Sequence, residues 1–187
     1  MIYRSYKAEG IVLKRINIGE KDKLLTIFTK NLGKIVLIAK GIRSIHSKKA
    51  PHLELFTHTS FFAANGRNLD ILTEAYTKES FMNLRTDLEK VAFAYSIAEI
   101  LDRLCAERQE HKNIFDFLLI TLRKLNKAEN QNIREIIDEF TLHTLWDLGY
   151  LVRGKLLERS ELQGYLAEVM EKNLKSDSLL TKINSNI

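Results

Sequence analysis

The sequence predicts an α+β protein, in which a five-stranded β-barrel precedes a bundle of α-helices. Apolar residues recur with a period of two along the first eighty residues and with a period of 3.6 from Ser80 onwards. They make up 45% of the 187 residues, enough to build a core. We therefore expect a barrel domain over 1–79, a helical domain over 80–174 and a flexible C-terminal tail over 175–187.

Short apolar runs separated by turn signals predict the strands of the barrel. Strands are expected at 8–16, 22–29, 34–40, 53–63 and 69–75. Gly33 can take a positive φ in the turn before the third strand, and Asn65-Gly66 is a strong hairpin signal before the fifth. The third strand is apolar almost throughout its centre, which predicts burial on both faces. Five strands of this length fit a barrel of the oligonucleotide-binding (OB) type.

Four amphipathic segments predict the helices of the second domain. Their apolar stripes lie within 91–105, 114–125, 133–148 and 162–170. Thr86-x-x-Glu89 and Ser160-x-x-Gln163 have the pattern of capping boxes, which predict where the first and last helices begin. Gly149 is expected at the C′ position after the third helix. Amphipathic helices with short connections are typical of a bundle.

The positive charge of the chain is concentrated in the predicted barrel. Residues 1–79 contain 14 Lys and Arg against 7 Asp and Glu, whereas residues 80–187 contain 15 against 17. A basic domain joined to a nearly neutral one suggests a polyanion-binding domain and a second domain with another role.

Several classes of protein are excluded or disfavoured. The sequence contains no run of eighteen apolar residues, so no membrane span is expected. The N-terminus lacks the apolar region of a secretory signal. A single cysteine excludes an internal disulfide and a multi-cysteine zinc site. A cytoplasmic protein associated with the nucleoid is the expectation.

No catalytic or metal site is expected. Three histidines recur at intervals of six: His46, His52 and His58. Their predicted positions on a loop, after a proline and on a strand do not match metal-ligand spacing. Cys105 lies on the apolar stripe of a helix, where a thiol is usually inert. Nucleotide-binding and hydrolase motifs are absent from the sequence, so we expect neither an enzyme nor a cofactor.

Basic side chains around the strands predict a nucleic-acid interface instead. The candidates are Lys14, Arg15, Lys21, Lys23, Lys34, Lys40, Arg43, Lys48 and Lys49. On a closed barrel they would follow a phosphate backbone, with an affinity that falls steeply as salt rises. Phe28, Phe56 and Phe62 are candidate platforms for stacked bases, with a core role as the competing interpretation.

Ordered sequence segments resemble the recombination mediator family RecO. They are EGIVLKR at 9–15, GExDxLLTxFT at 19–29, LGK at 32–34, AKGIR at 39–43, NLDILTE at 68–74 and LGY at 148–150. The resemblance covers about residues 5–150. It implies a protein without metabolic chemistry that binds single- and double-stranded DNA and anneals complementary strands.

The resemblance also implies partners and a ranking of the basic residues. RecO proteins engage the acidic C-terminal tail of the single-stranded-DNA-binding protein SSB, and act with RecR to help load RecA. Lys40 and Arg43 match the family's lysine-glycine-x-arginine segment and are the first candidates for DNA contact, followed by Lys34. An acidic, apolar-ended tail needs an apolar groove rimmed by cations. The candidate rim residues are Arg103, Arg123, Lys124 and Lys127.

The sequence departs from the family pattern after residue 150. Many RecO proteins carry a four-cysteine zinc module there, and this chain continues almost directly into its last helix. Zinc is therefore not expected, and neither are the DNA or partner contacts that this module makes. Two alternatives stay open, an RNA-binding OB protein of the translation machinery and an adaptor that binds no nucleic acid; an enzyme is a weaker third.

Overall fold

Five strands form a closed barrel in the computed structural model, which describes residues 5–128 and 133–184, with side chains as far as residue 171. The strands are β1 Ser5–Ile18, β2 Asp22–Thr29, β3 Gly33–Ala39, β4 His58–Ala64 and β5 Asp70–Glu79, in the order β1-β2-β3-β5-β4. Neighbouring strands are antiparallel except β3 and β5, which pair in parallel and close the barrel. The predicted five-stranded barrel is confirmed.

The segment before β4 is not a strand, so the prediction of a strand from residue 53 is wrong. A short 3-10 helix, Ala50–Leu53, contains Pro51, and β4 begins only at His58. Between them Phe56 takes a φ of 62°, a left-handed conformation that no strand accommodates. β5 in turn continues to Glu79, beyond the predicted end at 75.

Alternating residues of the strands fill the barrel. The interior cluster includes Val12, Leu25, Ile27, Ile35, Leu37, Phe61 and Leu72. Alternation follows from the strand period of two, which sends successive side chains to opposite faces. Burial of β3 on both faces was expected, yet Val36 and Ile38 are only half-buried because they lie on the outer face.

In the part of the chain that the structure describes, five helices follow the barrel, whereas four were expected: α1 Met82–Thr86, α2 Leu88–Leu104, α3 Lys112–Lys127, α4 Ile133–Asp147 and α5 Arg159–Asn184. The predicted capping box at Thr86 is wrong, because the neighbouring Asp87 caps α2. Its carboxylate accepts from the backbone N–H groups of Glu89 and Lys90 at 3.0 and 3.2 Å. The hydroxyl of Thr86 instead donates back to the carbonyl of Met82.

The ends of the last two helices differ in how well the sequence predicts them. Gly149 follows α4 with a φ of 76°, and its N–H donates to the carbonyl of Trp146 at 3.1 Å, so the predicted C′ glycine is confirmed. α5 begins at Arg159 and Ser160 lies inside it, so the predicted capping box there is wrong. α5 also passes the predicted end at 174, while 185–187 of the expected tail lie outside the described residues.

A second hydrophobic core joins the barrel to the helices. Ile11, Leu13 and Phe28 on the outer face of β1 and β2 pack with buried residues of α2 and α3. The rings of Phe28 and Phe115 stack with their centroids 6.5 Å apart. This shared core fixes which faces of the barrel remain open for binding.

Candidate nucleic-acid interface

Six of the nine predicted cations gather along one edge of the barrel, formed by the β1–β2 turn and the loop after β3. We call these residues the basic edge: Lys21, Lys23, Lys40, Arg43, Lys48 and Lys49. The backbone N–H of Arg43 donates to the carbonyl of Lys21 at 3.0 Å, and its guanidinium donates to the carbonyl of Gly19 at 3.1 Å. These bonds hold the loop against the turn.

Three side chains of the basic edge remain available to a ligand. Lys21, Lys40 and Lys48 are exposed, and within the described part of the chain their ammonium groups make no ion pair or hydrogen bond. The ammonium of Lys49 instead donates to the carbonyls of Lys40 and Leu72 at 3.1 and 3.3 Å. The edge therefore combines anchored cations that shape the loop with free cations that can bind anions.

Burial is the main influence on the pKa values of two lysines of the basic edge. Burial lowers the pKa of Lys23, and the nearby charges of Arg15 and Arg43 lower it further, while Glu54 acts in the opposite direction. Burial also lowers the pKa of Lys49, against the attraction of Asp22. A phosphate placed at this edge would relieve the repulsion between these cations.

The other three predicted cations are engaged within the protein. Lys34 is 7% exposed and forms an ion pair with Asp102 at 3.2 Å, so its side chain is not placed to reach a phosphate. Lys14 is exposed but lies 3.7 Å from the same carboxylate. Arg15 is largely buried and ion-paired with Glu54. Tertiary packing thus gives Lys34 and Arg15 structural partners.

Two of the three candidate aromatic platforms are core residues, as the competing interpretation held. Phe28 is fully buried against Phe115, and Phe56 is buried with its ring edge-to-face against Tyr95 at 5.3 Å. Both rings lie in the core that joins the barrel to the helices. A base cannot reach either of them.

Phe62 and a tyrosine that the sequence did not single out lie on the barrel surface. Phe62 is half-buried, and the ammonium of Lys7 lies 5.6 Å from its ring centroid. Tyr76 is 54% exposed, with the ring of His52 at 6.3 Å. The predicted fifth strand ended at residue 75, one position too early to reveal this side chain. Extending the predicted strand by one residue would have included it.

A surface groove connects the basic edge to the exposed tyrosine. It has a volume of about 680 Å³ and lies between the loop after β3 and strand β5. Its lining includes Lys48, Lys49, His52, Glu74 and Tyr76. Cations, a single carboxylate and an aromatic ring therefore face the same concave surface, a combination suited to a nucleic-acid strand.

The four cations expected to rim a groove for the SSB tail do not surround one groove. Three of them pair with neighbouring carboxylates: Arg103 with Glu99 at 2.6 Å, Arg123 with Glu79 at 2.8 Å and Lys124 with Glu139 at 2.7 Å. Lys127 is exposed and has no ion pair among the residues described. The first three therefore serve contacts within the protein, and Arg123 ties α3 to the end of β5.

An apolar groove with cations at its rim does exist, but elsewhere. It lies between α2, α4 and α5, with a volume of about 380 Å³, and its cations are Arg134 and Arg159. Its apolar lining consists of Phe93, Ile100, Ile137, Leu162 and Leu166. Arg159 lies 2.7 Å from the carboxylate of Asp138, whereas Arg134 is exposed.

The histidines and the cysteine do not form a reactive site. Across 5–128 and 133–171, no three His, Cys, Asp or Glu side chains are grouped to hold a metal. His58 is buried against Phe115, while His46 is exposed on the loop. Burial raises the pKa of Cys105 to about 12, which leaves a thiol that is protonated at neutral pH. None of the helices described has the length and apolarity needed to span a bilayer.

Comparisons with known proteins agree with the two-part fold. The family model described as recombination protein O N terminal matches residues 1–81, and recombination protein O C terminal matches residues 85–154. α5 lies beyond the second match. The boundary between the two matches falls where the barrel ends and the helices begin.

Curated relatives carry the name DNA repair protein RecO. The relative from Roseiflexus sp. is 42% identical over 165 residues, which cover 88% of this chain and 56% of the relative. Those from Shouchella clausii and Pelotomaculum thermopropionicum are 36% and 34% identical, over 68% and 87% of this chain and 50% and 61% of their own lengths. The chain thus spans a little over half the length of these relatives. Together, the two matches and these identities show that the chain belongs to the RecO family.

Proposed function

We propose that this chain is a recombination mediator in DNA repair, which binds single- and double-stranded DNA and anneals complementary strands. The observation that carries the proposal is the basic edge, with three exposed and unpaired lysines on a barrel of the RecO family. The names of the curated relatives support the assignment to DNA repair. The proposed action is binding, without bond chemistry.

Electrostatic capture explains how such an edge would promote annealing. Two complementary strands repel each other through their phosphates. Lys40 and Lys48 would neutralise phosphates on a bound strand and release condensed counterions, which favours binding at low salt. A strand held with fewer uncompensated charges meets its complement with less repulsion. The protein then lowers the barrier to pairing, and the bases themselves supply the sequence match.

The partners RecR, SSB and RecA belong to the same proposal. The apolar groove between α2, α4 and α5 is a better candidate site for the SSB tail than the surface around Arg103, Arg123, Lys124 and Lys127 that was expected from the sequence. Leu162 and Leu166 offer an apolar surface, and Arg134 offers an exposed cation at its rim. An acidic peptide with an apolar end would bury that end and pair its carboxylates with the rim. Association with RecR and help in loading RecA are proposed from the resemblance alone.

Binding and annealing can be tested on the full chain. Fluorescently labelled single-stranded DNA, its duplex and a structured RNA of equal length would be titrated at several salt concentrations. We expect DNA affinity to fall with salt, with a log–log slope of about −0.7 per phosphate contact for the single strand. We also expect faster annealing of complementary strands, including strands coated with SSB. Binding restricted to the RNA, with no stimulation of annealing, would refute the proposal.

A further inference from the structure

Two aromatic rings share the outer face of β4 and β5. In the register of this strand pair, Phe62 lies opposite Glu74, and Ser60 lies opposite Tyr76. Phe61, between them, is fully buried inside the barrel, so its neighbours on β4 face outward. Phe62 and Tyr76 are therefore diagonal neighbours across the two strands, roughly 7–8 Å apart. Two positions at that spacing can each present a ring to a separate base.

Another part of the outer surface, which reaches only the start of β5, has a different chemistry. A cross-strand row on the outer face of β1, β2, β3 and β5 consists of Ile16, Leu24, Ile38 and Ile71. All four are half-buried or exposed, with Ile16 at 45%. Aliphatic side chains have no π face on which a base can stack. The rings of Phe62 and Tyr76 thus distinguish their part of the outer face from this aliphatic row.

Positive charge borders the aromatic face on both sides. On the β1 side, the ammonium of Lys7 lies 5.6 Å from the centroid of the Phe62 ring. On the other side, the ammonium of Lys49 is anchored to the carbonyl of Leu72 on β5. The basic edge therefore leads directly onto β5 beside the exposed tyrosine. A backbone that follows these cations would bring its bases over the rings.

Glu74 lies between the two cationic borders, where it orients the Tyr76 ring and repels phosphates. The hydroxyl of Tyr76 donates to its carboxylate at 2.9 Å, which fixes the orientation of the exposed ring. The carboxylate also repels phosphates from the centre of the face. The phosphates are thereby directed to the borders and the bases to the centre.

We propose that the outer face of β4 and β5 is a base-stacking platform for single-stranded DNA, with Tyr76 and Phe62 each stacking one unpaired base. This inference rests on the proposed DNA binding. It adds a preference for single-stranded DNA and names the residues responsible for that preference. Lys7 covers the Phe62 ring in the free protein; an incoming base displaces it and frees the ammonium for the adjacent phosphate. Duplex DNA lacks unpaired bases and is bound through its phosphates alone.

The platform can be separated from the basic edge with two oligonucleotides of equal length. One is a labelled oligo-dT, and the other is an abasic strand with the same number of phosphates. The full-length variant Tyr76→Leu removes a ring, and Tyr76→Phe keeps it. The matched control is Tyr95→Leu, because Tyr95 is 50% exposed on α2, away from this face. Thermal melting of each variant verifies that it is folded.

We expect wild type to bind oligo-dT more tightly than the abasic strand. Tyr76→Leu should lose about 5- to 150-fold in affinity for oligo-dT, since one stacked base contributes about 1–3 kcal/mol. Its affinity for the abasic strand and its salt slope should stay unchanged. Tyr76→Phe keeps the stacking ring and loses only the hydrogen bond to Glu74, so it should bind oligo-dT more tightly than Tyr76→Leu does. Phe62→Leu should show a loss of the same kind.

Either of two results would overturn the platform while leaving the proposed function intact. In one, Tyr76→Leu binds oligo-dT as tightly as Tyr95→Leu does. In the other, wild type binds both strands equally and with the same salt dependence. If wild type binds neither strand at any salt concentration, the proposed DNA binding itself fails.

Discussion

The ammonium of Lys34 lies 3.2 Å from Oδ1 of Asp102 and also donates to the backbone carbonyl of the same residue. This contact joins β3 of the barrel to the last turn of α2, and the lysine side chain is almost wholly buried in it. A lysine that the sequence suggests for DNA contact therefore acts as a connection between the two halves of the protein.

Asp102→Ala should destabilise the protein by about 2 kcal/mol, because it leaves a buried ammonium without its counter-charge. The partial exposure of Asp102 keeps the loss below that of a fully buried pair. Urea unfolding measures it. Lys34→Met, which keeps the side-chain length and removes the charge, should cost less and leave the salt slope of DNA binding unchanged. A slope reduced by about 0.7 would instead make Lys34 a phosphate contact.

Lys40→Ala combined with Arg43→Ala should weaken DNA binding and flatten its salt dependence. The ammonium of Lys40 is unpaired among the described residues, and the exposed guanidinium of Arg43 keeps donors beyond the one that bonds to Gly19. Loss of both phosphate contacts should reduce the log–log slope for single-stranded DNA by about 1.4. Fluorescence anisotropy at several salt concentrations measures both effects. The matched control is Lys112→Ala with Lys127→Ala, which removes two exposed lysines from α3. Equal slopes for the two double variants would place the DNA away from the basic edge.

Gly33→Ala should destabilise the fold by more than about 2 kcal/mol. Gly33 has a φ of 67°, and a Cβ atom there would lie 1.9 Å from the carbonyl oxygen of Gln109. The substitution thus strains the turn and pushes the barrel away from the loop before α3. Gly19→Ala is the control, since Gly19 also has a positive φ of 53° but open space around it. Equal losses for the two variants would show that the contact with Gln109 contributes nothing.

Stability should fall as the pH is lowered from 7.5 to 5.5. His58 is 3% exposed, and burial first and Lys78 second lower its pKa below the ordinary 6.5. The unfolded chain therefore binds a proton before the folded one does, and stability is lost as the pH drops through 6.5.

Urea unfolding at a series of pH values should show that His58→Gln reduces this slope, whereas His46→Gln, at an exposed position, leaves it unchanged. Part of the slope should remain, because burial also lowers the pKa of His111. The pKa of Glu79 is lowered from 4.5, chiefly by its hydrogen bond to Arg123, so that residue contributes at lower pH. A wild-type stability that is constant between pH 7.5 and 5.5 would contradict the prediction.

The two-part architecture could be predicted from the sequence, because the hydrophobic period and the turn residues are properties of short segments of the chain. The change of period near Ser80 correctly separated strands from helices, and Gly33 and Gly149 have the positive φ values expected of them. The errors concern where individual helices and strands begin. Asp87 replaced Thr86 as the cap of α2, and the left-handed Phe56 ended a run that looks like a strand.

The candidate site was predicted in part, and the failures have a common cause. The sequence located the basic edge, since Lys40 and Arg43 lie in a loop that has few other roles. It did not distinguish Phe62, which is on the surface, from Phe28, which is in the core, because both belong to strands that alternate in the same way. Exposure depends on whether a helix packs on the outer face of a given strand.

The sequence by itself determined the family, the two-part architecture and the concentration of positive charge in the first part. These follow from composition, period and the order of short segments. Only the tertiary structure decided which charges are free and which rings are accessible. The shared core buries one side of the barrel and turns Lys34 and Phe28 inward, and it leaves Lys40 and Tyr76 on the open side. Distant segments make those contacts, so they are properties of packing that no single stretch of sequence contains.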